Sequence, residues 1–288
     1  MNYSAMIQNR KSVRAFTDQQ IPMSVVHDLK NYYEKHAKRL VNEIGTQLHL
    51  FCEDVKAELE GAAGYNQFLV GAPQYLVLLS EQHPLARLNA GYLMEDLVLN
   101  LTDWGLDSCW VTFTDSDRIK EALGIESQQD VVAIVAFGYG QKTTKRIRLN
   151  ILSMSNIDIK AKRRFTEPKR CVEDLVFLNT WGNAKGVSDY IGFFDDVLWE
   201  SFYAASLAPS YLNRQAYGFV LHDGFVTLVE RPDVYNTELD SALSLGAVML
   251  HFSAVAEDWM GRLHWQFGEQ AARLPLPEGH RVIASCAL

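Results

Sequence analysis

The feature that most constrains this chain is a repeat. Gly91 and Gly246, Met94 and Met249, Asp103 and Asp258, Trp104 and Trp259, and Trp110 and Trp265 are all 155 positions apart. Five identities in a window of about twenty exceed several-fold the chance background of around one. A strand-like run precedes each copy and an aromatic segment follows it. The chain therefore reads as two related α+β halves fused in tandem, with central, mainly antiparallel sheets flanked by helices. Its 288 residues suffice for two cores of about 140 residues each, without disulfides. The boundaries predicted are 1–150 for the first half, 151–188 for a connecting segment and 189–288 for a shorter second half.

Local patterns fill in these halves. Ser24 is a good N-cap, and Val25, Val26, Leu29, Tyr32 and Tyr33 recur behind it at helical spacing. A second helix is predicted from about Glu53 to Glu60. Tyr75 to Leu79 is an apolar run of strand length. Leu93, Leu97 and Leu101 predict a helix from Leu88 to Trp104, stopped by Gly105. A strand at Cys109–Phe113, a small helix at about Asp117–Leu123 and a central strand at Val131–Phe137 follow. Val197, Leu198, Phe202 and Ala205 mark another helix. Tyr217–Leu221 and Phe225–Val229 flank His222-Asp223-Gly224, where Asp-Gly supplies the positive φ angles of a tight hairpin turn. A long helix at about Leu239–Trp259 and a strand at Val282–Ala284 close the chain.

Several function classes are excluded as expectations. A net charge of −8 disfavours a nucleic-acid surface. No apolar run reaches the roughly 20 residues of a membrane span, and Met1-Asn2-Tyr3-Ser4 does not open a signal peptide, so a cytoplasmic protein is expected. Cys52, Cys109, Cys171 and Cys286 have no paired spacing, as for reduced thiols. His251 and His264 stand too far apart for one helical face, so no metal is assigned.

Two polar segments carry the chemistry. Asn9-Arg10-Lys11-Ser12-Val13-Arg14 alternates cations around a hydroxyl, a donor set suited to a phosphate monoester. By itself it reads more readily as an ordinary solvated, charged N-terminus. Ala208-Pro209-Ser210-Tyr211-Leu212-Asn213-Arg214-Gln215 ends a helix with small and amide side chains that can offer neutral hydrogen bonds and close backbone approach. By itself it is also an ordinary loop entry.

Together the segments resemble the flavin mononucleotide (FMN) motifs of the nitroreductase superfamily, and the chain is most similar to its tandem, single-chain branch. Members are normally homodimers with the cofactor at the subunit interface, so the resemblance implies a nitroreductase-like fold built here as an internal pseudo-dimer. In that family an Arg-x-Ser-x-(Arg/Lys) segment contacts phosphate and isoalloxazine, which implies Arg10, Lys11, Ser12 and Arg14. A Pro-Ser-x-x-Asn-x-Gln segment reaches the flavin from the other subunit, which implies Pro209, Ser210, Asn213 and Gln215. Lys145 and Arg148 resemble the late basic residues that complete the phosphate clamp. Thr112 and Phe113 stand where members often carry Glu-Gly beside the flavin N(5). The usual Gln-Pro-Trp is Gln215-Ala216-Tyr217, and the second half starts with Asp189 to Asp196 in place of an Arg-x-Ser-x-Arg segment.

The resemblance thus implies one FMN per chain, with NADH or NADPH as a transient hydride donor. The acceptor implied is a small molecule such as a nitroaromatic or quinone, reduced in a ping-pong cycle. The flavin would carry the chemistry, and no side chain is assigned as a catalytic acid or base. The oligomeric expectation is a monomer able to dimerise further. The alternative is a flavin-binding protein without turnover, a sensor, carrier or degenerate pseudoenzyme, suggested by Thr112-Phe113.

Overall fold

The computed structural model describes residues 2–51, 55–65, 69–141, 146–153, 156–162, 168–192 and 196–288, with the side chains of 146–162 excepted. The first half runs α1 (Tyr3–Asn9), α2 (Met23–Lys35), β1 (Thr46–Phe51), α3 (Lys56–Leu59), β2 (Gln74–Ser80), α4 (Ala86–Asp103), β3 (Asp107–Val111), α5 (Ser116–Leu123) and β4 (Asp130–Gly138). The strands β5 (Arg146–Ser153) and β6 (Asn156–Lys162) pair as a separate antiparallel ribbon. The second half runs β7 (Val176–Leu178), α6 (Val187–Gly192), α7 (Val197–Ser206), β8 (Tyr217–His222), β9 (Phe225–Glu230), α8 (Glu238–Met260), β10 (Gln266–Phe267) and β11 (Arg281–Ala287).

The two main sheets share one topology. The first is ordered β1-β2-β4-β3 and antiparallel throughout. The second is ordered β10-β11-β9-β8-β7, so β8-β9-β11-β10 repeats the first order, and β7 is added parallel to β8. In each half the long helix connects the second strand of that order to the fourth. This is the expected α+β architecture with antiparallel sheets.

The long helices α4 and α8 pack on each other at the centre. Leu88 through Leu101 of α4 is buried without a break, as is Leu245 through Ala256 of α8. A helix apolar all round belongs inside a fold. α8 has the length and hydropathy of a membrane span, yet most of it is covered by protein.

The helices approach at glycines of the repeat. A Cβ on Gly91 would lie 2.3 Å from the carbonyl oxygen of Leu243, and a Cβ on Gly246 would lie 2.2 Å from that of Leu88. Leu88 and Leu243 are themselves 155 positions apart, so the contact is reciprocal, as about a two-fold axis. A polar pair flanks it at the same offset. Asp96 accepts from Tyr3 Oη at 2.8 Å, Tyr32 Oη at 2.9 Å and the Lys38 amide at 2.9 Å. His251 meets the Ala204 carbonyl and Glu95.

Some elements differ from expectation. α2 starts one residue before Ser24, with Pro22 in the cap position, where a fixed φ and a missing N–H suit a helix entry. Of the helix expected at Glu53–Glu60, only the single turn α3 is seen, and residues 52–54 lie outside the described residues. The segment expected as a connection contains β6 and β7. β7 is three residues long, too short for periodicity to reveal. Helix α1 was not foreseen. It is held by capping of Ala5 N–H on Asn2 and by burial of Tyr3, Met6 and Ile7.

Candidate functional site

Arg10 follows the last residue of α1, where the chain turns from helix to extended backbone. The next residues lie along β3, the outer strand of the first sheet. Ser12 bridges to Ser108, and Val13 N–H donates to the Ser108 carbonyl at 2.9 Å. Thr17 N–H donates to the Tyr139 carbonyl at 2.8 Å, fastening the segment to the end of β4. The strap exposes Lys11, Ser12 and Arg14, whereas the Arg10 side chain is only 8% exposed.

Arg10 points into a polar junction between the halves. Its Nε lies 3.4 Å from Glu95 Oε1. Glu95 is fully buried on α4, and it also meets His251 Nε2 of α8 at 2.9 Å and Trp110 Nε1 of β3 at 2.9 Å. The His251 Nδ1 lies 3.0 Å from the Ala204 carbonyl in α7. One carboxylate thus meets three groups, from the end of α1, from β3 and from α8, and through His251 it reaches the helix that leads into the second motif. Sequence reading missed Glu95 and weighed His251 only as a metal ligand, because a polar residue inside an apolar helical run gives no periodic signal.

The second segment is a loop shaped by its own side chains. After α7, the residues Leu212, Asn213 and Gln215 take left-handed φ angles of 48°, 56° and 47°. Such residues cost about 1–2 kcal/mol each when they are not glycine, and local hydrogen bonds offset this. Ser210 Oγ accepts from Gln215 N–H at 3.1 Å, and Asn213 Nδ2 donates to the Pro168 carbonyl at 3.0 Å. Gln215 is buried, donating to the Ser206 carbonyl and accepting from Arg170 N–H. Its amide is used inside the loop. Pro209 and Ser210 remain partly exposed at the bend.

The two segments converge on Lys169, which the sequence showed only as one basic residue of the connection. Lys169 Nζ donates to the Ala208 carbonyl at 2.7 Å, and burial, then the charge of Arg10, push its pKa down to about 8. Arg14 and Arg10 are also close enough to oppose the rise that burial gives the Cys109 thiol. Arg10 and Lys169 are thus two confined cations sharing one carboxylate, Glu95. A site with surplus buried positive charge fits an anionic group such as a phosphate.

Thr112 and Phe113 lie just beyond β3. Thr112 Oγ1 donates to Asp240 Oδ1 at 2.9 Å, Asp240 being in the first turn of α8, and its carbonyl accepts from Gly64 N–H at 2.7 Å. Phe113 is buried and bridges to Ala63. Nearby, the rings of Tyr65 and Tyr211 meet edge to face with centroids 6.3 Å apart, joining the two halves. Lys145 lies outside the described residues, and Arg148 is in β5 with its side chain likewise outside them.

A pair of topologically matched antiparallel sheets around two crossed helices, with a polar strap from one half meeting a loop from the other, is the architecture of the nitroreductase fold. A solved structure from Thermotoga maritima, described as a "putative nitroreductase", is similar over 100% of this chain and 94% of that one, with a TM-score of 0.57 and 20% identity. A nitroreductase family protein from Streptococcus pneumoniae (TM-score 0.44, 19% identity) covers 49% of this chain and 92% of its own length. A nitroreductase with bound FMN from Bacteroides fragilis (TM-score 0.41, 18% identity) covers 56% and 99%. No curated protein matches the sequence. Residues 2–174 match the family described as "Putative TM nitroreductase", and the chain belongs to that family.

Proposed function

We propose that this protein is an FMN-dependent oxidoreductase that takes hydride from NADH or NADPH and reduces a small acceptor, a nitroaromatic or a quinone. The observation that carries the reading is the surplus positive charge at Arg10 and Lys169, next to the exposed strap and below the Ala208–Gln215 loop. Membership of a nitroreductase family supports the chemistry. When bound, FMN would supply a ring that accepts hydride from the nucleotide and passes it to the acceptor.

The residues then take specific parts. Arg10, oriented by Glu95, would offer its remaining N–H groups to the phosphate, and Lys169 would add a second charge. The exposed Ser12 and Arg14 of the strap would meet the ring, where a fixed cation favours the reduced, anionic form. Ser210 and Pro209 line the approach from the second half. Thr112 cannot act as a free hydroxyl while it is bonded to Asp240, so its contribution is to fix the rim. The Tyr65–Tyr211 pair shields the opening from water and offers a flat wall to an aromatic acceptor.

The same reading makes the chain an internal pseudo-dimer with one flavin, working as a cytoplasmic monomer with no nucleic-acid or membrane partner. The isolated protein should be yellow, with one FMN per chain, and anaerobic NADH or NADPH should bleach it within seconds. A colourless protein that takes up no FMN ends the proposal. Bound flavin that neither nucleotide reduces would leave the non-catalytic flavin carrier as the reading.

A further inference from the structure

The repeated topology gives two parts of the site a counterpart. Residues 107–110 of β3 correspond at the same 155-residue offset to 262–265, the irregular segment leading into β10, and the loop joining α7 to β8 corresponds to the one joining α2 to β1, residues 36–45. Those two counterparts meet as well. Arg39 of the loop and Arg262, His264 and Trp265 of the irregular segment leading into β10 line a cavity of about 150 Å³, with Tyr92 and Glu257 as its remaining polar walls.

The cavity differs from the first site in two ways. β10 is the outer strand of its sheet, and among the described residues no strap covers it as Ser12 and Val13 cover β3. The volume is also well below the roughly 300 Å³ or more of pockets for drug-sized ligands. A whole flavin nucleotide does not fit.

Its walls are nevertheless specific. Glu257 is fully engaged, with Lys38 Nζ at 2.8 Å on one oxygen and Leu263 N–H at 3.2 Å on the other. Arg39 is held by bonds to the Ala37 and Tyr33 carbonyls, which use two of its N–H groups. Arg262 is exposed and, among the described residues, forms no ion pair. Both Glu257 oxygens are thus taken up by Lys38 and the Leu263 amide, so the Arg39 and Arg262 guanidinium groups that line the cavity leave positive charge at its mouth. Trp265 is fixed by a 3.0 Å bond from its Nε1 to Ser253 Oγ and by edge contact with Phe252, so a flat apolar wall stands beside the cations.

We infer that this cavity is a second ligand site, distinct from the first, which takes a small aromatic carboxylate: the carboxylate on Arg39 and Arg262, the ring against Trp265 and Tyr92. It does not depend on the first site holding flavin.

Benzoate is the probe. Calorimetric titration of the protein as isolated should show one saturable benzoate site, with no change in any flavin absorption band. Arg262→Glu should weaken binding by about tenfold or more, the loss expected for reversing one charge-assisted contact. Benzamide, without the charge, should bind about tenfold or more weakly than benzoate. The milder Arg262→Ala, at an exposed position, guards against misfolding and should show a smaller loss in the same direction. Four results overturn the assignment: no saturable binding, binding that both Arg262 variants leave unchanged, binding that perturbs the flavin spectrum, or two flavins per chain.

Discussion

Replacing Gly246 with alanine tests the central crossing. The new Cβ would stand 2.2 Å from the Leu88 carbonyl oxygen, 2.7 Å from the Tyr92 nitrogen and 2.9 Å from the Gly91 Cα. All three are backbone atoms, so no side chain can rotate away, and the helices must separate by about 1 Å to restore van der Waals contact. Overpacking of this kind costs about 1–3 kcal/mol, and a rigid backbone partner puts it at the upper end. Alanine gives back up to about 1 kcal/mol of helix propensity, for a net loss of about 2 kcal/mol. At about 2–4 °C per kcal/mol for a protein of this size class, the melting temperature should fall by about 4–8 °C. Gly91→Ala should behave similarly, since its Cβ would meet the Leu243 carbonyl at 2.3 Å. The double variant is decisive. One separation relieves both clashes, so the paired cost should fall short of the sum by about 1 kcal/mol. Denaturant titration of the four proteins measures this, and additive costs, or single variants as stable as the parent, would refute the reciprocal crossing.

Glu95→Ala should destabilise by about 3–5 kcal/mol in the same assay, because it strands the confined Arg10 charge and removes the partner of Trp110 Nε1 and His251 Nε2. Lys169 makes stability depend on pH. Its folded pKa of about 8 lies below its ordinary 10.5, so between those values the unfolded chain holds the extra proton and stability rises with pH. Lys169→Met should flatten that rise in melting curves of the flavin-free protein. Gly224→Ala, at a φ of 78° in the β8–β9 turn, should cost about 1 kcal/mol. Leu212→Gly, at a φ of 48°, should gain about 1 kcal/mol by relieving the left-handed backbone, read as a higher denaturation midpoint.

Long, strongly patterned elements were legible in the sequence. α4, β4 and the Asp223-Gly224 hairpin fall within a few residues of expectation, because burial and turn chemistry leave direct marks on residue type. The 155-residue offset, visible as a handful of identities, turned out to mark the helix crossing itself. Elements whose stability comes from elsewhere were not legible. α1 is one short helix held by docking, β7 is three residues paired to a strand some forty positions away, and β1 follows a loop with no strong turn signal. The same holds at the site. Arg10 and Ser12 could be picked from their pattern, but Lys169 gains its place only when β7 joins β8. The inward turn of Gln215 depends on Arg170 and Ser206, which no local motif predicts.

The crossing of α4 and α8 has one more consequence, for dilution. Where two crossed helices belong to separate molecules, the joint comes apart as protein becomes scarce, and the midpoint of unfolding drifts with concentration. Here both helices are on one polypeptide, so each finds the other at an effective concentration on the order of millimolar at any abundance in the cell. One half can therefore lose its strap and reshape its loop while the other keeps both, since a substitution no longer has to appear twice.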